Sequence, residues 1–445
     1  MVNKRLTWYL ETQNIIDKNQ SGFRKHRNTM DNLAALENSI QEAFSEKEHL
    51  VCIFFDLEKA YDTAWVTNIL RNLSSYGVRG NMFHFIRNFL KGRSFRVNIG
   101  NTFSSKYYQE NGVPQGSVLS VTLFLVAINS LRQYIPPPIK NLNFADDFVA
   151  FLNGKCLNEI ENQLQNFLSE LSLWCNTTGF RFSLPKTKAM HFCRIKKCVR
   201  DPHLEINGKK IEIVDSQKFL GMTFDKKLTW NNHLRQLKSQ AQQSVKIIRT
   251  LSNTTWGSNR KTLLTLHQTL VLSKLEYGAV IYATGAKNAL NKLNSVHHLG
   301  IRLAIGAFRT SPVSSILSDS GFFPLNIRRD IQTIKYGVKA LRNPDHPLHD
   351  KLRMNVNLNW YHSHPRAAKS YCTRFWETKI KYNLNLENIW ETKLCYVPPW
   401  QIPRICIDTS MAQKTKENTS NLEYKTLFMD LCEKYKHLYT QTDLK

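Results

Sequence analysis

Apolar residues recur along this chain with two distinct periods. Between residues 28 and 46, Leu33, Leu36, Ile40 and Phe44 stand three or four apart, which predicts an amphipathic helix. HLVCIFFDL (49–57) follows as an unbroken apolar run of strand length ending on Asp56. Trp65, Ile69, Leu70 and Leu73 then share one helical face, with a stop at Gly77. FRVNIGNTFS (95–104) alternates and turns at Gly100-Asn101, the pattern of a hairpin. QENGVPQGS (109–117) reads as a loop and 118–131 as an apolar helix that PPP (136–138) ends. In NLNFADDFVAF (141–151) two strand-forming arms flank a tip that carries Asp146 and Asp147.

Further on, Ile160, Leu164, Phe167, Leu168 and Leu171 stripe a helix over 157–175, and 181–193 and 213–225 are expected as strands. From about residue 230 the texture turns helical. Leu234, Leu237, Ala241, Val245, Ile248 and Leu251 form one stripe, with Arg235, Lys238, Lys246 and Arg249 elsewhere on the same helix. Leu263, Leu266 and Leu270 start a second helix, and Leu290, Leu293 and Val296 a third. The last hundred residues mix Trp, Pro and Lys without a usable period.

The adjacent acids are the chemical anomaly in this pattern. Two carboxylates about 4 Å apart repel by roughly 4 kcal/mol at an effective dielectric near 20. Taken alone, the pair fits either an Asx-type turn in water or a site that gathers cations. Composition narrows the choice. The chain has 445 residues, 42% hydrophobic, and 61 Lys plus Arg against 35 acids, a net charge of +26 that points to a polyanionic partner such as nucleic acid. VLSVTLFLVAI (118–128) falls short of the ~20 residues a bilayer span needs, and MVNKRLTWYLETQ has no apolar signal core. An intracellular protein, in nucleus or cytoplasm, is expected. The 9 cysteines form no CxxC pair, and Cys193 and Cys198 lack a matching second pair, so reduced thiols and no zinc site are expected.

If the strand ending at Asp56 and the acidic hairpin are neighbours, as in a split βαβ arrangement, Asp56, Asp146 and Asp147 converge. Such a cluster calls for divalent cations. Mg²⁺ favours a few carboxylates plus substrate phosphates, and two ions about 3.5–4 Å apart serve phosphoryl transfer in polymerases and nucleases.

FFDLEKAYDTAW, NGVPQGSVLS, FADD, SLPKTK and FLGMTFDKKLTWNNHL follow one another in the order of reverse transcriptase motifs. They resemble the non-LTR (LINE-type, jockey-like) retrotransposon enzymes, and QSGFRKHRNTMDNL (20–33) resembles a fingers motif of that group. The resemblance covers about 20–300. It implies an α+β right-hand fold: partial fingers over 1–48, a palm over 49–227, a helical thumb over 228–310, and a connection region over 311–445. It also implies RNA-directed DNA polymerase activity, with an RNA template, a DNA primer and deoxynucleoside triphosphates as partners. Two Mg²⁺ ions are the implied cofactor, with Mn²⁺ the alternative.

Carried over by position, the family implies that Asp56, Asp146 and Asp147 bind metal and that Tyr61 underlies the incoming sugar. Gln115 and Gly116 would contact nucleotide and template, and Arg24 and Arg27 would grip the triphosphate. Lys186 would assist pyrophosphate departure, and Phe219-Leu220-Gly221 would form the primer grip. Each also has a plain structural reading: solvated charges for both arginines, a core aromatic for Tyr61, a strand-end lysine for Lys186. Asp62 is read as a helix-start residue.

Two departures from the family stand out. The chain opens about twenty residues before GFR, without the upstream fingers segments or an apurinic-type endonuclease. PPW (398–400) and HLYTQTDLK (437–445) resemble a linker and first strand of an RNase H domain. A partial open reading frame is therefore expected. The competing readings are an RNA-dependent RNA polymerase, which Tyr61 argues against, and an inactive relic that only binds RNA. Oligomeric state is not legible.

Overall fold

The apolar run from His49 forms the middle of a sheet buried on both sides. The computed structural model describes residues 1–195, 200–354, 358–364, 367–386, 389–391, 398–401 and 419–434. Strands β1 (His49–Phe55), β2 (Lys140–Phe144), β3 (Asp147–Gly154), β4 (Lys188–Phe192) and β5 (Glu212–Ile213) make one sheet in the order β5-β4-β1-β3-β2. β1 runs antiparallel to β3 and β4, and β5 joins parallel to β4.

Leu50, Cys52 and Phe54 of β1 enter one core with Leu33, Leu36 and Ile40 of helix Thr29–Ser45. Val51, Ile53 and Phe55 enter a second core with Leu164, Phe167 and Leu168 of helix Leu157–Thr178. Cover on both faces removes the alternation that a half-solvated strand would show. The chain is thus mixed helix and sheet, and the units split at Tyr396: Met1–Tyr396 is one and Val397–Lys445 the other, with helix Asn421–Lys434 in the latter.

Most of the periodic segments fold as the pattern predicts. The 95–104 hairpin turns at Gly100-Asn101, with Ile99 opposite Thr102. Two segments differ. Residues 181–187 form a turn before β4, where Ser183 O accepts from the Lys186 and Thr187 amides (3.1 and 2.8 Å). Pro185 suits a turn because it cannot donate to a ladder. The stretch expected as one strand over 213–225 is instead the end of β5 and a hairpin, Ser216–Phe219 with Met222–Asp225. Its two-residue tip is Leu220 (φ 42°) and Gly221 (φ 82°). Helix Val2–Thr12 gave no readable stripe, since only Leu6 and Leu10 of its apolar residues are buried. HLYTQTDLK and residues 196–199, Cys198 among them, lie outside the described residues. No helix among the described residues is long and apolar enough to cross a membrane.

Helix Thr29–Ser45 is enclosed, and its polar residues are buried with it. Asn38 Oδ1 accepts from the Cys372 amide (3.2 Å), and Arg374 lies 3.1 Å from Glu37. Burial outweighs that arginine and pushes the Glu37 carboxyl up to about 7. Asp31 meets His346 Nε2 at 3.1 Å and the Tyr336 hydroxyl at 3.3 Å. These contacts pack helix Leu325–Arg342, His346 and helix Tyr371–Lys381 against helix Thr29–Ser45.

Burial by itself would raise the Asp31 carboxyl, yet hydrogen bonding to and the charge of His346 hold it below its usual 3.8. A carboxylate depressed in the folded state contributes stability above its unfolded pKa and loses it as pH falls through the folded value. Asp31→Asn should therefore cost roughly 2–4 kcal/mol near neutrality. The gap to wild type should narrow in acid, below the usual 3.8 of the carboxyl. Urea unfolding of both proteins at neutral and acid pH measures this, and an equal gap at the two pH values refutes it.

Candidate active site

The β1–β3 register brings the acids to one place. Phe55 pairs with Phe148, and Phe144 pairs with Asp147 across the β2–β3 hairpin. Asp56 therefore leaves β1 beside Asp147, and Ala145-Asp146 is the two-residue tip. Ala145 adopts φ 58°, which costs a non-glycine residue about 1–2 kcal/mol.

A clamp from the N-terminal segment holds this strained tip. Gln20 Oε1 accepts from the Ala145 amide (2.9 Å) and the Gly22 amide (2.8 Å), and Gln20 Nε2 donates to Ala145 O (3.3 Å). Ser21 N donates to Asn143 O (2.8 Å), and Asn143 N donates to Asn19 O (3.1 Å). Gly22 lies so close that an added Cβ would sit 2.2 Å from Ala145 N. The Q-S-G of the 20–33 motif is thus a fitted cover for the acidic turn.

Electrostatics mark the same spot. Burial, then the charges of Asp146 and Asp56, push the Asp147 carboxyl up to about 6. Asp56 Oδ2 is buried and accepts no hydrogen bond. Lys186 Nζ lies 3.4 Å from it, within ion-pair reach but not aligned as a donor, and the lysine side chain is 71% exposed. The SLPK turn is tied there by Ser183 N, which donates to Asp56 O (2.8 Å).

A buried carboxylate oxygen that accepts no hydrogen bond, beside two further carboxylates, is what a divalent cation relieves, so Asp56, Asp146 and Asp147 fit the metal the sequence suggests. The carboxylates do not close into a single-ion cage. Among the described residues the cluster with three ligand atoms within 4.8 Å of one another is His49, His191 and Cys193, elsewhere on the sheet.

Tyr61 stacks on Phe124 (centroids 4.6 Å, planes 16° apart), and burial, then the Asp146 charge, raises its hydroxyl pKa. Its carbonyl accepts from Val113 N (2.9 Å), and an added Cβ on Gly112 would sit 2.9 Å from Tyr61 O, so the loop before PQG lies directly on this turn. Gln115 Nε2 reaches Asp62 Oδ1 (3.4 Å), and Asp62 lies on helix Ala60–Thr63. Gly116 holds φ 86°, a conformation that favours glycine. A cleft of about 510 Å³ beside Asp56 is lined by Asp62, Asn111, Arg181 and Lys186 among others.

The two arginines of the 20–33 motif differ in their surroundings. Arg24 does not present a free guanidinium: Nε and Nη2 clasp Glu11 (2.9 and 2.7 Å), while Nη1 donates to Asp17 O (2.9 Å) and Gln20 O (3.2 Å). Its side chain is only 13% exposed, so it braces the Gln20 segment. Arg27 donates to Lys18 O (3.1 Å) from a half-buried position.

At 216–225, Phe219 is buried against Phe54 (centroids 5.6 Å) and the Tyr277 hydroxyl donates to Leu220 O (2.6 Å), which anchors the hairpin tip. Sequence reading missed Gln20, Arg181 and Tyr277. Gln20 stood inside a quoted motif, but nothing in its spacing pointed to a turn over a hundred residues away.

Residues 1–224 match the family model described as reverse transcriptase (RNA-dependent DNA polymerase). The chain is 27% identical over 320 residues to a probable RNA-directed DNA polymerase from transposon BS of Drosophila melanogaster, covering 68% of this chain and 34% of that protein. It is 26% identical over 373 residues to the RNA-directed DNA polymerase from mobile element jockey of the same species, covering 80% and 38%. The chain thus spans little more than a third of the length of these relatives. Among solved structures, a Candida tropicalis telomerase in complex with a TWJ fragment of telomeric RNA is similar over 87% of this chain and 55% of that one. Its identity is 11% and its TM-score 0.42, too distant to carry an argument.

The clamp geometry makes a testable claim. Gln20→Ala strands the Ala145 amide and carbonyl, a loss of roughly 1–3 kcal/mol. Amide hydrogen exchange at Ala145 should accelerate about ten- to hundredfold relative to wild type, with strand β1 amides unchanged. Unaltered protection at Ala145 would show that the turn holds without Gln20.

Proposed function

The chain belongs to the reverse transcriptase family, and from that premise we propose that it extends a DNA 3′-hydroxyl on an RNA template, as part of a non-LTR mobile element. The observation that carries this reading is the convergence of Asp56 with Asp146 and Asp147, one carboxylate oxygen buried without a hydrogen bond and one carboxyl pushed up to about 6. Asp56, Asp146 and Asp147 would hold two Mg²⁺ ions, with Mn²⁺ the alternative. Such ions activate the attacking 3′-oxygen and neutralise the triphosphate.

The remaining residues position the reactants. The Tyr61 ring, braced by Phe124, forms the floor under the incoming sugar. Gln115 and Gly116 bring backbone and amide against nucleotide and template. Lys186 and Arg181, facing the same cleft, receive charge that builds on the leaving pyrophosphate. Arg27, not the braced Arg24, is the arginine left for phosphate. Phe219, Leu220 and Gly221 steady the primer end. In this assignment fingers span 1–48, palm 49–227, thumb 228–310 and connection 311–445. Arg235, Lys238, Lys246 and Arg249 on helix Asn231–Leu251 follow the nucleic-acid phosphates.

Asp56→Asn and Asp146→Asn should each lower primer extension on RNA at least about a hundredfold while RNA affinity stays near wild type, because binding rests on the basic surface. Steady extension by either variant would remove that carboxylate from the metal set.

Tyr61 supplies a second test. If its ring fills the space of a ribose 2′-hydroxyl, Tyr61→Val should raise ribonucleotide over deoxyribonucleotide use, measured as the ratio of kcat/KM, at least about tenfold. An unchanged ratio in a folded, active variant takes Tyr61 out of the sugar site and favours an RNA polymerase.

A further inference from the structure

We propose that His49, His191 and Cys193 form a second metal site, selective for a thiophilic divalent ion such as Zn²⁺, at the end of β1 opposite the aspartates. β1 and β4 pair with Leu50 opposite Phe192 and Val51 opposite His191. Continuing that register sets His49 opposite Cys193, so all three side chains leave one face of the two strands. Their ligand atoms lie within 4.8 Å of one another. His49 Nδ1 is 2.9 Å from His191 Nε2.

The surroundings prepare these atoms to bind a cation. Asp201 Oδ1 lies 2.9 Å from His191 Nδ1, and that carboxylate keeps the proton on Nδ1 and leaves the Nε2 lone pair facing His49. Carboxylate support of a ligating imidazole is a regular feature of zinc centres. The Ile195 amide donates to Cys193 Sγ (3.4 Å), which fixes the sulfur beside the two rings. The His191 side chain is only 2% exposed, so water competes weakly for its ring.

Donor chemistry separates this site from the first. Two imidazoles and a thiolate suit Zn²⁺, whereas the aspartates offer oxygen alone and suit Mg²⁺. Three protein ligands leave a fourth tetrahedral position for water. An ion there would staple the start of β1 to the end of β4 and so stiffen the strand that delivers Asp56. Spacing along the chain could not show this, because His49 and His191 are 142 positions apart. The plain alternative is a hydrogen-bonded histidine pair with a bystander thiol.

The test uses the full chain, stripped with chelator and titrated with ZnCl₂ or CoCl₂. We expect one tightly held Zn²⁺ per chain by equilibrium dialysis, a higher Tm with Zn²⁺, and a cobalt–thiolate band in the near ultraviolet. Cys193→Ser should abolish that band, and His49→Gln, at a partly exposed position, should weaken Zn²⁺ at least about tenfold. Asp201→Asn, which touches the ion only through His191, should weaken it about 10–100-fold. Absence of bound Zn²⁺ in wild type, or binding and bands unchanged in both Cys193→Ser and His49→Gln, would overturn the proposal. Neither result bears on the polymerase reading, which rests on the aspartates.

Discussion

Everything at the acidic end of this molecule depends on like charges being forced together by strand register. Phe55 opposite Phe148 leaves Asp56 no position except beside Asp147. The register is strongly specified, because both faces of β1 are buried and a one-residue slip would exchange the two cores. Folding energy from those cores therefore holds carboxylates where their own repulsion would part them. Asp147 records the cost in a carboxyl pushed up to about 6.

The N-terminal segment is subordinate to that constraint. A hairpin tip of Ala145 and Asp146 requires a left-handed alanine, and the Gln20 carboxamide grips both polar groups of that peptide. Arg24 secures the same segment by clasping Glu11 and the carbonyls of Asp17 and Gln20. The motif around GFR thus acts on the turn from behind as a brace. Helix Thr29–Ser45, which follows, is locked in turn by Asp31, Glu37 and Asn38 against His346, Arg374 and Cys372. A chain of buried polar contacts links the acidic turn to helices Leu325–Arg342 and Tyr371–Lys381.

β1 carries chemistry of opposite kind at its two ends. Oxygen donors gather where the strand ends, and nitrogen and sulfur donors gather where it begins. Between them the run is apolar but for the Cys52 thiol, which is buried in the core with Leu50 and Phe54.

Period and motif order in the sequence alone were enough for β1, the acidic hairpin, the helix from 157 and the helices from 230, since each buries a stripe that local spacing reveals. They were also enough to single out Asp56, Asp146 and Asp147, which interrupt apolar runs where charge has no local reason to be. Helix Val2–Thr12 stayed hidden because two buried leucines make no period. The clasp of Arg24 on Glu11 was hidden for a related reason: a motif shows that a guanidinium is present, not which partner it meets. Gln20 on Ala145, Tyr277 on Leu220 and His49 against His191 are contacts between distant segments. Which donor meets which acceptor across such distances follows from sheet register and helix packing, so only the tertiary structure decided them.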